Sequence, residues 1–164
     1  MNKAIFLDRD GVLNKLSAPH DYVKTFDEFI WNPYAQELIK EINSLGFLAI
    51  VISNQQGIGK GVMSAEFVAQ LHKKMNEDLQ KTEAHIDAFY ICPHLISDVC
   101  DCRKPKPTLF FTAAKDFDIS LADSFFIGDS ETDAEAAATA GCTMIMIESD
   151  KISLEKIRSK TLTL

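Results

Sequence analysis

Positive charge is what this sequence is short of. Its 17 Lys and Arg stand against 24 Asp and Glu, a formal net charge of −7. Such a balance opposes sequence-independent binding to nucleic acid or to an anionic membrane surface, which both need gathered cations. Basic stripes with interleaved aromatics, the footprint of a nucleic-acid interface, are missing too. No apolar run approaches the ~20 residues that span a bilayer. No early stretch joins a charged start, an apolar middle and a small-residue cleavage site, so a cytoplasmic protein is expected. Repeats, low-complexity tracts and linkers rich in Gly, Ser or Pro are absent, and 164 residues fit a single domain, 1–164, expected to act as a monomer. A composition of 46% hydrophobic and 25% charged residues can bury a core without disulfides.

Cysteine is scarce, four in all, but unevenly placed. Cys142 stands alone in an apolar stretch, where a small buried side chain is its expected role, whereas Cys92, Cys100 and Cys102 fall within eleven residues. In a reducing compartment, clustered cysteines favour metal over disulfides. Adding His94 gives three thiolates and one imidazole across 92–102, a standard tetrahedral structural set for Zn2+, though not at finger spacing. Such a loop would stiffen the delivery of Arg103 and Lys104 that follow it.

Elsewhere, apolar runs of strand length alternate with helical patterns. Ala4–Leu7, Leu48–Ile52, Ala88–Ile91, Phe125–Ile127 and Met144–Ile147 suit strands buried on both faces of a parallel sheet. A helix is signposted by Asn32 as N-cap, Pro33 in the first position, Leu38, Ile42 and Leu45 on one face, and Gly46 as the stop. Ser64–Lys81, capped by Ser64, Thr108–Phe117 and Glu131–Ala140 supply three more, and the tail from Lys151 has the length for a short one. The alternation predicts an α/β fold, a Rossmann-like doubly wound parallel sheet with helices on both faces. In such sheets ligands bind beyond the carboxyl ends of the strands.

Polar residues gather at those ends. Asp8-Arg9-Asp10-Gly11 follows the first strand, and residues two apart on extended chain point the same way, so both carboxylates can address one site. Two acids that close repel, and a cation is the usual remedy; a polar turn is the plainer reading. A calcium-binding EF-hand fits poorly, because it needs Gly in the sixth position and a glutamate in the twelfth. After the second strand, Ser53-Asn54-Gln55-Gln56-Gly57 can donate to phosphate oxygens or form an ordinary loop. After the fourth, Asp129 could complete an oxygen cage for Mg2+, or Asp129 or Ser130 could cap a helix. Lys104, in Arg103-Lys104-Pro105-Lys106-Pro107, suits a phosphoryl oxygen or a solvated basic run. His72 and His85 receive no role, with His72 expected on the polar side of its helix. Four weak signals at successive strand ends are less easily coincidental than any one.

As a set, these residues resemble the haloacid-dehalogenase-like (HAD-like) phosphohydrolases, over roughly residues 4–147. That family carries a DxD motif, a Ser or Thr after the second strand, a later Lys, and an acidic GD-x-x-x-D motif, matched here by Asp8/Asp10, Ser53, Lys104 and Gly128-Asp129…Asp133. The resemblance implies a Mg2+-dependent phosphatase with Asp8 as nucleophile and Asp10 as general acid and base. Asp8, Asp129 and the Asp10 carbonyl would hold Mg2+, with Ser53 and Lys104 steadying the transferring phosphoryl group.

The Cys-x-His…Cys-x-Cys-Arg-Lys-Pro loop narrows the resemblance to the capless branch, without a separate cap domain, that contains the heptose-bisphosphate and histidinol-phosphate phosphatases. The run Asn54–Gly61 is closer to the heptose enzymes, although Lys60 stands where they commonly carry Arg. A small phosphorylated substrate is therefore expected, D-glycero-D-manno-heptose bisphosphate before histidinol phosphate. Arg103 would meet its remote phosphate; His20, Asp21, Tyr22, Asn54, Gln55 and Gln56 would line the substrate site. A phosphoacceptor signalling module is the rival of another class; the second Asp and the cysteine loop speak against it.

Overall fold

Strand-length runs without a charged residue can be buried on both faces of a sheet. The computed structural model, which describes residues 1–16, 18–147 and 159, uses them in that way. After β1 (Ala4–Leu7) come β2 (Asn14–Lys15), β3 (Ile30–Trp31), α1 (Ala35–Ser44) and β4 (Leu48–Asn54). Then follow α2 (Gln56–Gly59), α3 (Ala65–Gln80), β5 (Ala88–Cys92), α4 (Thr108–Phe117), β6 (Phe125–Gly128), α5 (Glu131–Ala140) and β7 (Thr143–Met146). Five strands make one parallel sheet in the order β5-β4-β1-β6-β7, while β2 and β3 pair antiparallel apart from it.

The chain winds from β1 to β4 and β5, then returns to β6 on the other side of β1. The winding therefore reverses at β1, and a crevice beyond its carboxyl end is where ligands bind in such sheets. Alternation along the strands builds two cores. Ala4, Phe6, Ile50, Ile52 and Phe126 face α4 and α5, where Phe110 and Ala136 pack. Ile5, Leu7, Ala49, Val51 and Ile127 face α1 and α3, where Leu38, Ile42, Leu71 and Met75 pack. No separate cap domain interrupts the described elements, and no described helix is long and apolar enough to cross a membrane.

Helix ends follow the sequence signals with one exception. The Ser64 hydroxyl accepts from Phe67 N at 3.0 Å, and Ser130 caps α5 by accepting from Asp133 N at 3.2 Å. Gly46 and Gly141 take the left-handed conformation after α1 and α5. Asn32, however, does not cap α1, which starts two residues beyond Pro33, at Ala35. Its amide instead donates to Val12 O at 2.8 Å, joined there by the Tyr34 hydroxyl at 2.9 Å. A buried carbonyl in the loop after β1 has no ladder partner, and satisfying it outweighs a helix cap.

The strand bounds differ modestly from expectation. β4 runs on to Asn54 because Ser53 pairs with Ile91 and Asn54 with Cys92, so these two polar residues sit on rigid strand. β7 begins and ends one residue earlier, and the β2–β3 pair was not anticipated. The expected tail helix lies outside the described residues apart from Ser159, which is helical.

The rings of Phe6 and Phe126 each meet Phe110 edge-on at 5.0 Å. Phe110→Ala should cost about 3–5 kcal/mol of unfolding free energy, read by urea denaturation; a loss below about 1 kcal/mol would mean that this core does not depend on the ring.

Candidate active site

Three strand ends converge on Asp8. Its backbone N–H donates to Ile127 O at 3.0 Å, which locks the end of β1 beside β6. Gly11 turns the chain back at φ +87, and a Cβ there would collide with the Asp129 carboxylate, so only glycine fits. At Gly128 a Cβ would lie 2.6 Å from the Asp133 Cβ, so the missing side chain lets the first turn of α5 close onto β6.

These close approaches gather Asp8, Asp129 and Asp133, each offering one carboxylate oxygen within 4.8 Å of the others. Lys104, only 3% exposed, lies among them, with Nζ 3.0 Å from Asp8 Oδ1 and 2.7 Å from Asp133 Oδ1. Its third proton goes to Ile52 O at 3.0 Å, so all three donors are engaged. Asn54 fixes the lysine backbone, accepting from Lys104 N at 3.0 Å and donating to Lys104 O at 3.2 Å.

The charges do not balance. Three carboxylates share one ammonium, a surplus of negative charge in a partly desolvated place. Burial first, with Asp133 and Asp10 adding to it and Lys104 opposing, pushes Asp8 up to about 7. Asp129 is raised as well, by burial and then by Asp133. Burial works against the Lys104 ammonium, but Asp8 and Asp133 outweigh it and hold that group above its usual range. An all-oxygen set with surplus charge is what a hard divalent cation takes.

The Asp10 carboxylate stands outside that group. It receives Arg9 Nη2 at 3.1 and 3.2 Å, Gln55 Nε2 at 2.8 Å and Asn14 Nδ2 at 3.0 Å. The two carboxylates expected around Mg2+, Asp8 and Asp129, come together, and Asp133 joins them; from Asp10 only the carbonyl was expected there. Gln55 was expected to touch substrate, yet it is 1% exposed. Its amide is spent on Asp10, on Ser53 Oγ at 2.9 Å and on Arg9 at 3.0 Å, so it supports the site from beneath.

Asp8, Asp10, Ser53, Arg103, Lys104 and Asp133 line a cavity of about 370 Å³. A second, of about 360 Å³, is lined by His20, Asp21, Tyr22, Gln56 and Lys60 and shares Asp10, Asn54, Ile96 and Arg103 with the first. Gln56 donates to the Tyr22 hydroxyl at 3.2 Å and accepts from Ile96 N at 3.1 Å. The Lys60 ammonium beside Tyr22 holds its phenol below the usual range.

Beside the cleft, Cys92, His94, Cys100 and Cys102 bring one ligand atom each within 4.8 Å of the others. The Cys92–Cys100 sulfurs are 3.8 Å apart, the edge expected of a tetrahedron with bonds of ~2.3 Å, and His94 Nδ1 lies 3.2 Å from Cys102 Sγ. Arg103 is tied to this loop through His94 O at 3.3 Å. All four cysteines are free of disulfides, and Cys142 is buried, as expected.

Sequence reasoning missed several residues. Asp133 lay inside a quoted motif but was not weighed as a site carboxylate. Arg9 is fully buried between the two aspartates, where alternation alone gives no role. His72 is a correction: it is not on the polar side of α3 but 7% exposed, its ring stacked on Phe89 at 4.1 Å. The available signal was spacing, since Val68, His72, Met75 and Leu79 lie on one buried face. His85 is exposed, near Asp87.

Comparison with known proteins agrees with this geometry. A family model described as HAD-hydrolase-like matches residues 101–163. A D-glycero-β-D-manno-heptose-1,7-bisphosphate 7-phosphatase from Helicobacter pylori is 40% identical over 85% of this chain and 79% of its own. A relative from Mycobacterium tuberculosis, named for the α anomer, is 37% identical over 87% of this chain and 78% of its own. A crystal structure of the Bordetella bronchiseptica heptose bisphosphate phosphatase, complexed with magnesium and phosphate, superposes with a TM-score of 0.82 at 35% identity, covering 88% of this chain and 79% of that one. Fold and relatives together define a phosphatase of the HAD-like class. Within that class, the chain belongs to the family of the heptose-1,7-bisphosphate 7-phosphatases.

The surplus charge makes a prediction about pH. An unfolded Asp8 titrates near 3.8 and a folded one near 7, so between those values the folded state holds the extra proton. Stability therefore falls as pH rises through that window. Mg2+-free protein should melt several degrees lower at pH 8 than at pH 5, and Asp8→Asn should flatten that slope; equal slopes in both proteins would contradict the account.

Proposed function

We propose that this phosphatase removes the 7-phosphate of D-glycero-D-manno-heptose 1,7-bisphosphate through an aspartyl-phosphate on Asp8. One observation carries the reading: three clustered carboxylates, Asp8, Asp129 and Asp133, outnumber the single buried lysine at the base of a two-part cleft. A bisphosphate suits two adjoining cavities. The first has the nucleophile at its base, and the second is flanked by the cations Lys60 and Arg103. Relatives at 34–40% identity named for this reaction support the substrate.

The Asp8 carboxylate attacks the phosphorus of the bound monoester while Asp10 donates a proton to the departing sugar oxygen. Asp10 then takes a proton from the water that hydrolyses the acyl phosphate. Covalent catalysis divides one hard displacement into two steps, and a positioned acid adds about 10²–10⁴-fold. Ser53 Oγ already accepts from Gln55, so its own proton is free for a phosphoryl oxygen. Lys104 has its protons committed, and its part is to orient Asp8 and offset charge. Asp8 and Asp129, with Asp133 beside them and the Asp10 carbonyl, would hold Mg2+. Bound there, that ion supplies neutralisation of charge that would otherwise repel the carboxylate nucleophile.

Zn2+ is the metal proposed for Cys92, His94, Cys100 and Cys102, on the softness of the donors and their spacing. Its role is to fix the loop carrying Arg103, and free thiols of this kind suit the cytoplasm. Elemental analysis should find about one zinc per chain, and Cys100→Ser should lose it; zinc-free wild type with an unchanged melt would oppose this.

Asp8→Asn should abolish turnover, by at least about 10⁴-fold, without loss of fold; near-normal activity would sink the mechanism. Phosphate release compared across heptose bisphosphate, histidinol phosphate and unrelated sugar phosphates tests the substrate. A preference for histidinol phosphate would overturn the substrate and leave the chemistry standing.

A further inference from the structure

Beneath Asp10 lies a buried chain of polar contacts that the mechanism leaves unused. Arg9 is fully buried, and its guanidinium meets Asp10 through Nε at 3.3 Å and Nη2 at 3.1 Å. On its far side, Arg9 Nη1 lies 3.3 Å from His72 Nε2. A guanidinium can only donate, so His72 Nε2 accepts and the ring proton sits on Nδ1. Burial first, then Arg9, pushes the imidazole down to about 3, so the ring stays neutral at physiological pH and keeps that acceptor. Stacking on Phe89 at 4.1 Å, with ring planes 10° apart, fixes where the acceptor points.

A buried charged donor without its acceptor costs more than the hydrogen bond it made. If His72 could not accept, the guanidinium would gain by turning toward other oxygens, and its two-point hold on Asp10 would be lost. A shift of ~1 Å in an acid–base group can cost a large part of its catalytic effect.

We propose that His72 is a positioning residue: acting through Arg9, it sets the direction of the Asp10 carboxylate toward the leaving oxygen. The inference rests on the acid–base role read for Asp10, and its test separates the two.

His72→Phe keeps the stacked ring and removes the acceptor; His72→Gln restores an acceptor; Asp10→Asn controls for the role of Asp10. Each is compared with wild type, with the melt followed by circular dichroism, on an alkyl phosphomonoester and on p-nitrophenyl phosphate. The alkoxide leaving group needs a proton, whereas p-nitrophenolate leaves without one. His72→Phe should slow single-turnover alkyl transfer about 10-fold, with KM and the aryl single-turnover rate each within about 2-fold. His72→Gln should recover most of the alkyl rate. A purely structural role would slow both substrates alike, and that result, or a glutamine variant no better than phenylalanine, overturns the proposal. If Asp10→Asn fails to spare single-turnover p-nitrophenolate release, the acid role of Asp10 falls first, whatever His72 does. Where His72→Phe does not fold, His72→Leu, also lacking an acceptor, is measured instead.

Discussion

Unbalanced negative charge, partly desolvated at the carboxyl end of a parallel sheet, is the constraint on which the rest depends. Asp8, Asp129 and Asp133 crowd one buried ammonium. Carboxylates so placed in a metal-free protein relieve one another by taking protons, and burial holds Asp8 near neutrality. A divalent cation would relieve them without a proton and leave Asp8 ionised. The Asp10 carboxylate lies beside that group and is held by the buried Arg9 guanidinium. Asp8 and Asp10, two residues apart, thus stand in different surroundings.

The fold is arranged to maintain that crowding. β1 sits centrally in the sheet, so its end is flanked by β4 and β6 and cannot relax sideways. Glycines at 11 and 128 allow approaches that any side chain would block. The amide of Asn54, at the end of β4, grips the backbone of Lys104, and the lysine in turn bonds Ile52 of the same strand. The cysteine loop anchors the segment from the other end, through Arg103 and the His94 carbonyl. Stability spent on holding like charges together is recovered from two apolar cores, one on each face.

Much of this was legible in the residues, and the gaps have physical causes. Strand runs, the Ser64 and Ser130 caps and the glycine stops are local signals, and they survived. The clustering of Asp8 with Asp129, and of Cys92 and His94 with Cys100 and Cys102, was readable because such side chains have few other uses at those spacings. Asn32 misled because a buried carbonyl twenty residues earlier, at Val12, claimed its amide. Gln55 misled because burial, which sequence does not display, turned a candidate substrate contact into a support. Arg9 and His72 were invisible together: they meet in the fold, yet 63 residues separate them.

Titration calorimetry with Mg2+ near neutral pH addresses the charge surplus most directly. The account predicts one binding event per chain in the wild type, weakened at least about 10-fold in Asp129→Asn, since a carboxylate ligand to a hard divalent ion is lost. Absence of binding in folded wild-type protein, or equal affinity in the two, would contradict it.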